Sequence, residues 1–551
     1  MSEMRVWIEE IADEILKRKT DKIVINSGKS ISGRIHIGIF RELFICDSLK
    51  RILDKKGFDA EFYFILDDYD PAKKFPSYIP SDYDKYIGAP FSDIPSPFSE
   101  GESYAEFFAK ELISTFSSFG LNPKILWTSK LYNTVEMKNI IRTVINKVDE
   151  IRSILISYVG ETLNEEDAEE YRREVAERYP ISVVCKRCGK MQVIDKGKIK
   201  PNRVLNYIKE TDEVIYYCHS CKKEFKEKLE DARLKLTWRV DWPAKWFLLK
   251  VTCEPAGKDH TVKGGAYDTG LRICQEVFGY EGPVKIGYEW LRYGDVDMKT
   301  HKGIIFTPRE YLEIGQPEVL RYLIIRTPPS KHISFRPELL PQYIDEYERF
   351  ERVFFNNQLD ASDEEKYEAS ILYPLTLVDE KIQTIKPKLP FRFAVIFSQL
   401  KEIMNPQAIM VKAQEVVKKI YKIPVITDRE LKEIEETIRK AANWVLKYGS
   451  ENYKIHISKS ISGDIKESLT EAQKTVIRKV AELLSQGDFT EEELQNKIFN
   501  IIKEVEGLDV KKGFESIYMV ILGKKYGPRL GSFLLSLDRD WLIERLNTVL
   551  K

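Results

Sequence analysis

Val24-Ile25-Asn26-Ser27-Gly28-Lys29-Ser30-Ile31-Ser32-Gly33-Arg34-Ile35-His36-Ile37-Gly38-Ile39 begins with β-branched residues, passes through two glycines and three serines, and enters an apolar-periodic run from Ile37 to Leu53. That order predicts a strand, a tight loop and a helix. A glycine-rich turn opening a helix offers bare backbone N–H groups, and the helix dipole adds a positive end for phosphate. His36 falls in the expected first turn, where an imidazole reaches a phosphate oxygen. A capped helix with a buried histidine would read the same way, so the flanking sequence has to decide.

Outward from this stretch, residues 3–19 read as a helix with Val6, Trp7, Ile11, Ile15 and Leu16 on one face. A second strand, Ala60 to Leu66, ends in Asp67-Asp68-Tyr69-Asp70-Pro71, and acids at the end of a buried strand stand where open α/β sheets bind ligands. Five prolines between 75 and 101 predict an extended excursion. Helical periodicity over Tyr104–Phe119, a short strand Lys124–Trp127 and a helical stretch from 133 to about 158 complete the alternation. It predicts an α/β fold with a parallel sheet covered by helices.

At 551 residues the chain has room for three to four domains. Lys+Arg and Asp+Glu both count 87, so any nucleic-acid site must be a local patch. No apolar run approaches the roughly 20 residues of a membrane span. The N-terminal stretch is acidic and amphipathic and does not read as a signal peptide. The expected location is cytoplasmic, because the seven cysteines include two CxxC pairs, which point to a reducing compartment and metal binding. Cys185-Lys186-Arg187-Cys188 and Cys218-His219-Ser220-Cys221 lie 29 residues apart with β-prone sequence between them. Four thiolates suit tetrahedral Zn²⁺ and leave no open position, so a structural zinc ribbon is expected, with His219 the competing ligand.

From 236 the chain reads Leu-Thr-Trp238-Arg239-Val240-Asp241-Trp242-Pro243-Ala244-Lys245-Trp246, three of its eight tryptophans within nine residues. Such a cluster is either core or a binding wall. Gly257-Lys258-Asp259-His260 and Gly264-Gly265-Ala266-Tyr267-Asp268-Thr269-Gly270 follow. Polar, ionisable and glycine residues between apolar strands are poor core and good nucleotide-site material. A strand at Val284–Leu291 leads to the loop Gly294–Gly303, where Met298, Lys299 and Lys302 could bring ammonium groups to a triphosphate.

With these pieces in order the chain resembles the class I lysyl-tRNA synthetases of the archaeal type. The resemblance rests on Ser32-Gly33-Arg34-Ile35-His36-Ile37-Gly38 (a "HIGH" element), Asp67–Asp70, the cysteine knuckles, Trp238–Pro243, Gly257–His260 and Tyr267–Gly270. Lys331–Phe335, Tyr343–Arg349 and Gly527–Gly531 extend it over the chain. Ile39 replaces a polar residue of the "HIGH" element. The "KMSKS"-type loop, in register Asp297-Met298-Lys299-Thr300-His301, keeps only the methionine, so either Lys299 or Lys302 shifts to serve or activation is weak.

The resemblance implies a Rossmann-type catalytic domain with an inserted zinc ribbon and a C-terminal all-helical region, divided as 1–178, 179–232, 233–335, 336–405 and 406–551. It implies a ligase that activates lysine with ATP and Mg²⁺ and transfers it to tRNA(Lys). His36, Lys302 and Lys299 would be catalytic, with Lys302 beside Gly303 carrying the larger share. Gly28, Ser30, Asp68, Trp238, His260 and Tyr288 would hold lysine. Ser32, Gly33, His36, Gly38, Gly257, Asp259, Asp268 and Met298 would hold ATP. In the helical region, lysine-rich faces such as Lys412, Lys418 and Lys419 would meet phosphates, and Tyr518, Tyr526 and Phe533 would stack on anticodon bases. Two other readings stay open: a same-fold synthetase for glutamate, which the Asp67–Asp70 run argues against, and a tRNA-binding paralogue without activation.

Overall fold

Ile23, Val24 and Ile25 are buried and start β1 (Ile23–Ser30), which pairs in parallel along its full length with β2 (Ala60–Asp67). The computed structural model describes residues 5–162, 165–298, 305–379, 384–457 and 461–550. Two compact units divide the chain. The first comprises residues 1–311, 317–335 and 359–381, the second residues 312–316, 336–358 and 382–551.

In the first unit α1 (Trp7–Leu16) precedes β1, and α2 (Phe40–Lys55) returns the chain to β2. The excursion from 68 to 103 holds only short 3₁₀ turns, at Ser81–Tyr86 and Phe91–Asp93. It ends where Ser103 and Glu106 form a capping box at the start of α3 (Tyr104–Ile113). β3 (Lys124–Trp127) joins β2 in parallel. The helical stretch expected over 133–158 is broken. The short α4 (Thr128–Leu131) leads to α5 (Val135–Asn146), α6 (Val148–Thr162) and α7 (Glu165–Glu177), with Lys147 leaving helical geometry between α5 and α6.

The cysteine segment forms short antiparallel pieces: β4 (Ile181–Val183) pairs with β10 (Leu234–Leu236), β5 (Gln192–Asp195) with β6 (Lys198–Pro201), and β7 (Val204–Ile208), β8 (Glu213–Cys218) and β9 (Lys223–Lys228) with one another. The chain then re-enters the main sheet through α8 (Trp238–Leu249), β11 (Cys253–Gly257), the single turn α9 (Lys258–Thr261), α10 (Ala266–Phe278) and β12 (Val284–Tyr288). The five-stranded order is β12-β11-β1-β2-β3, all parallel. Successive strands run one way from β1 to β3 and the other way from β11 to β12. The switch point therefore lies between β1 and β11, where a crevice opens at the strands' carboxyl ends.

Two buried arginines tie later segments to this layer. Arg41 on α2 donates to the carbonyls of Ile324, Thr327, Pro328 and Lys331, closing the end of the helix Pro317–Arg326. Arg321 on that helix donates to Asp47, Phe119 and Leu375. Leu375 belongs to the helix Asp363–Thr376, which the periodicity reading missed although Ser362 and Glu365 form its capping box.

Within the second unit the described residues are almost entirely helical, including Leu340–Phe354, Pro406–Tyr421, Asp428–Tyr448, Glu471–Ser485, Glu491–Lys503 and Val510–Leu522. Thr427, Thr470 and Thr490 each open a helix with a reciprocal capping box. Trp444 is fully buried and donates to the Pro337 carbonyl at 2.7 Å. Among the described residues no helix is long and apolar enough to cross a membrane.

Candidate functional site

The crevice at the switch point is a cavity of about 610 Å³. Gly28 and Ser30 reach it from the end of β1, Ser32, His36 and Gly38 from the following loop, Asp67 from β2 and Tyr288 from β12. Trp238, Asp241, Trp242 and Lys245 enter from α8, Gly257, Asp259 and His260 from the end of β11, and Met298 from the loop beyond β13 (Leu291–Tyr293).

His36 does not sit in a helical turn. It is the N-cap of a 3₁₀ turn, Ile37–Ile39, that precedes α2, and its Nδ1 accepts the Gly38 N–H at 3.1 Å. Gly38 has to be glycine, because a Cβ there would meet that Nδ1 at 2.6 Å. Gly33 holds φ +152°, which side-chain-bearing residues rarely adopt, but it does not line the cavity. Burial, reinforced by the Lys29 charge, pushes His36 down to about 4, so its ring is neutral at pH 7. With Nδ1 accepting, the proton resides on Nε2, a neutral donor on a ring that faces the cavity.

One wall is aromatic. Trp238 is 49% exposed and stacks on Trp242 at 4.7 Å between centroids, while His260 lies 5.3 Å from Trp238. Trp242 rests in turn on the buried Trp246 and Tyr267. Trp238 is thus the exposed end of a stack whose far end is core.

Buried acids line the same cavity beside this wall. Glu42 accepts from Ser27 Oγ at 2.6 Å, Gly28 N at 3.3 Å and Tyr288 OH at 2.6 Å, and burial pushes it up to about 7. Glu254 accepts from Asn26, Trp242 and Trp246 at 2.7, 2.8 and 2.6 Å, and burial raises it as well. Asp67 accepts from Lys235 at 2.8 Å and Lys245 at 3.2 Å. Burial alone would raise its pKa, but the two ammoniums hold it below the carboxylate range. Lys245 also pairs with Asp241 at 2.9 Å, and Lys235 with Asp70. Two polar atoms in the cavity's lining residues, Asn26 Oδ1 and Trp290 Nε1, are buried without a hydrogen-bond partner. An acceptor and a donor left open suit a polar ligand such as a nucleotide.

Sequence reading found most of the lining but misplaced some acids. Asp68 is not brought to the cavity: its carboxylate accepts from Ser129 N at 2.8 Å and Ser129 Oγ at 2.5 Å. Asp268 is likewise elsewhere, accepting from Gly264 N at 3.0 Å and pairing with Lys285 at 2.7 Å. Lys299 and Lys302 lie outside the described residues. Glu42, Glu254, Lys235 and Lys245 were missed, although Glu254 and Lys245 each stand as a lone charge inside an apolar run.

The four knuckle cysteines converge, with all their Sγ atoms within 4.8 Å of one another and Cys185–Cys221 and Cys188–Cys218 at 3.9 and 3.7 Å. A tetrahedron with metal–sulfur bonds of about 2.3 Å has edges of about 3.8 Å, so the donor set fits zinc. His219 stays outside the cluster, its backbone N–H on Asn202 and its ring edge-on to Tyr217.

In the second unit Lys412, Lys418 and Lys419 line a cavity of about 500 Å³. Phe533 is fully buried and Tyr518 nearly so, packed on each other and unavailable for base stacking, which leaves Tyr526 exposed.

A family profile described as "tRNA synthetases class I (K)" matches residues 5–376. The lysine–tRNA ligase of Methanocaldococcus jannaschii is 35% identical over 98% of this chain and 99% of its own length. The chain belongs to the class I lysyl-tRNA synthetases. As a lysine–tRNA ligase it has ATP and lysine as implied substrates. The synthetase is also 34% identical to the lysine–tRNA ligase of Archaeoglobus fulgidus, over 99% of this chain and 100% of that one. That of Methanococcus maripaludis is 32% identical over 98% and 99%. A second profile, "Anticodon binding domain", matches residues 428–550 of this synthetase, within the helical unit.

Proposed function

We propose that lysine activation takes place in the 610 Å³ cavity, which the stacked Trp238–Trp242 wall and the carboxyl groups of Asp67, Asp241 and Glu42 line together. The observation that carries this is the excess of acids over bases there. Lysine brings two ammonium groups. The cluster of Asp67, Asp70 and Asp241 against Lys235 and Lys245 is one charge short of neutral, which an ammonium restores. Aromatic faces favour the same cation. Gly28, Ser30, Trp238, His260 and Tyr288 would hold the amino acid. Ser32, His36, Gly38, Gly257, Asp259 and Met298 would hold ATP, whose phosphates bring Mg²⁺. The lysine carboxylate attacks the α-phosphorus in line and pyrophosphate leaves; a hydroxyl of the terminal adenosine of tRNA(Lys) then attacks the lysyl carbonyl, and AMP leaves. Positioning and charge stabilisation supply the rate.

The domain roles that go with this are catalysis over 1–178 and 233–335, a ribbon over 179–232, a connecting region over 336–405 and anticodon reading over 406–551. A tRNA charger working in protein synthesis is expected in the cytoplasm.

The test is exchange of labelled pyrophosphate into ATP with tRNA present. Lysine should support it and glutamate should not. Folded protein without lysine-dependent exchange would overturn the reading in favour of a binding paralogue. Trp238→Ala should raise the KM for lysine about tenfold, roughly 1.4 kcal/mol of lost cation–π and stacking contact, and that for ATP much less. Equal KM values with a lowered melting temperature would make Trp238 a core residue instead. Lys302→Ala should slow adenylate formation more than Lys299→Ala; the reverse order would put the loop's register one step away.

The zinc is read as structural, since four protein thiolates leave no site for a substrate. Metal analysis should return one zinc per chain. Cys218→Ser should abolish it and expose β7–β9 amides to exchange, because thiolate binding supplies much of such a module's folding energy. Full amide protection in the zinc-free variant would show that the ribbon folds without its metal.

A further inference from the structure

A second cavity, of about 240 Å³, opens beside Trp238 in the first unit, between α6, the residues following α7 and the start of α8. Four arginines line it, Arg152, Arg178, Arg203 and Arg239, and its lining includes no acidic residue. In a chain whose acids and bases balance, that is a local excess of positive charge. Arg152 reaches Asp149 at its edge, and no carboxylate among the described residues pairs with Arg178 or Arg239. Converging guanidiniums are suited to phosphate, which they bind in a fork.

The hollow is also aromatic and apolar. Tyr179 lies under the Arg152 guanidinium at 5.7 Å, and the Trp238 indole forms part of the lining. Arginines over aromatic faces are what single-stranded RNA uses, bases stacking while the backbone is neutralised. The volume is below the roughly 300–1,000 Å³ of a site for a whole small molecule, and suits one nucleotide better than a cofactor.

Position narrows the occupant further. Trp238 lines both this hollow and the lysine and ATP cavity, so one indole separates the two. Transfer requires the terminal adenosine's hydroxyl to reach the activated lysine carboxylate in the larger cavity. The preceding nucleotide then lies one backbone step back, on the other face of Trp238. We infer that this arginine pocket receives the nucleotide next to the terminal adenosine in the single-stranded 3′ end of the tRNA. This rests on the larger cavity being the activation site.

The experiment is a binding cycle at fixed salt, with tRNA(Lys) that lacks only its terminal adenosine and the same RNA trimmed by one nucleotide more. Wild type should bind the trimmed tRNA about tenfold more weakly. Arg178→Glu should bind both equally weakly, and Arg178→Lys should restore most of the difference. Arg178→Gln, with an unfolding midpoint matching wild type, serves if the glutamate variant does not fold, and should lose the same discrimination. Lysine-dependent pyrophosphate exchange at saturating tRNA should persist in these variants, and its absence in wild type would count against the activation site rather than this pocket. Wild-type protein that does not distinguish the two tRNAs would overturn the inference, as would a charge-removing Arg178 variant that still does. A pocket for a free nucleotide predicts the first of these results.

Discussion

Lys245→Met should destabilise the first unit by about 3–5 kcal/mol, the usual cost of breaking a buried ion pair from one side. Lys245 and Asp241 are about 5% and 2% exposed, and the ammonium lies 2.9 Å from Asp241 and 3.2 Å from Asp67. Removing it leaves Lys235 facing three aspartates. Asp241 keeps only the Tyr132 hydroxyl at 2.6 Å. Trp238, Trp242 and Trp246 share the α8 helix with Lys245, so indole fluorescence reports the transition that matters in a chain of two units. Asp241→Asn in the same chain should recover part of the loss, because it removes one of the stranded charges. A cost below about 1 kcal/mol would mean that the carboxylates find water or protons cheaply.

The acid limb gives a second handle on the same cluster. Asp67 is held below its unfolded pKa by the two lysines, so it contributes stability above about pH 4 that is lost as pH falls further. Without Lys245 that loss should begin at higher pH. Glu42 works in the opposite sense. Its pKa is raised to about 7, so the unfolded chain releases the proton first and stability falls as pH rises from about 4.5 to 7.

These charges explain where sequence reading reached and where it stopped. The strand Lys124–Trp127 and the convergence of four cysteines were legible because each depends on local pattern or fixed spacing. The run Asp67–Asp70 pointed to the correct end of the correct strand, but neighbouring side chains there take opposite faces. Asp67 therefore enters the crevice while Asp68 turns to Ser129, and no composition rule selects between them. Lys235 and Lys245 come from segments some 170 residues later, so their pairing with Asp67 exists only after folding. The single-residue break at Lys147 was invisible for a different reason. Apolar spacing on either side continues in nearly the same phase, and the helix reads as one. Trp238 shows the converse case, since a dense aromatic cluster was ambiguous in sequence and the structure makes it core at one end and wall at the other.

His36→Ala should slow adenylate formation by about 10²–10³-fold, the 2.7–4 kcal/mol typical of one preorganised donor to developing charge. The ring is fixed before any ligand arrives: Nδ1 takes the Gly38 N–H, and Gly38 lacks the Cβ that would displace it. What remains is an Nε2–H on the cavity side, needing no reorganisation as negative charge builds on the α-phosphate. Because burial and Lys29 keep its pKa near 4, the imidazole stays neutral from about pH 5.5 upward. The His36-dependent part of the rate should therefore show no inflection near pH 6.5, where an ordinary histidine titrates. A limb between pH 6 and 8 would belong to Glu42, and Glu42→Gln should remove it. Gly38→Ala should reproduce part of the His36→Ala defect without touching a titratable group, since it displaces the ring and spoils the cap. Normal single-turnover activation in His36→Ala would show that the loop's backbone amides alone carry the charge.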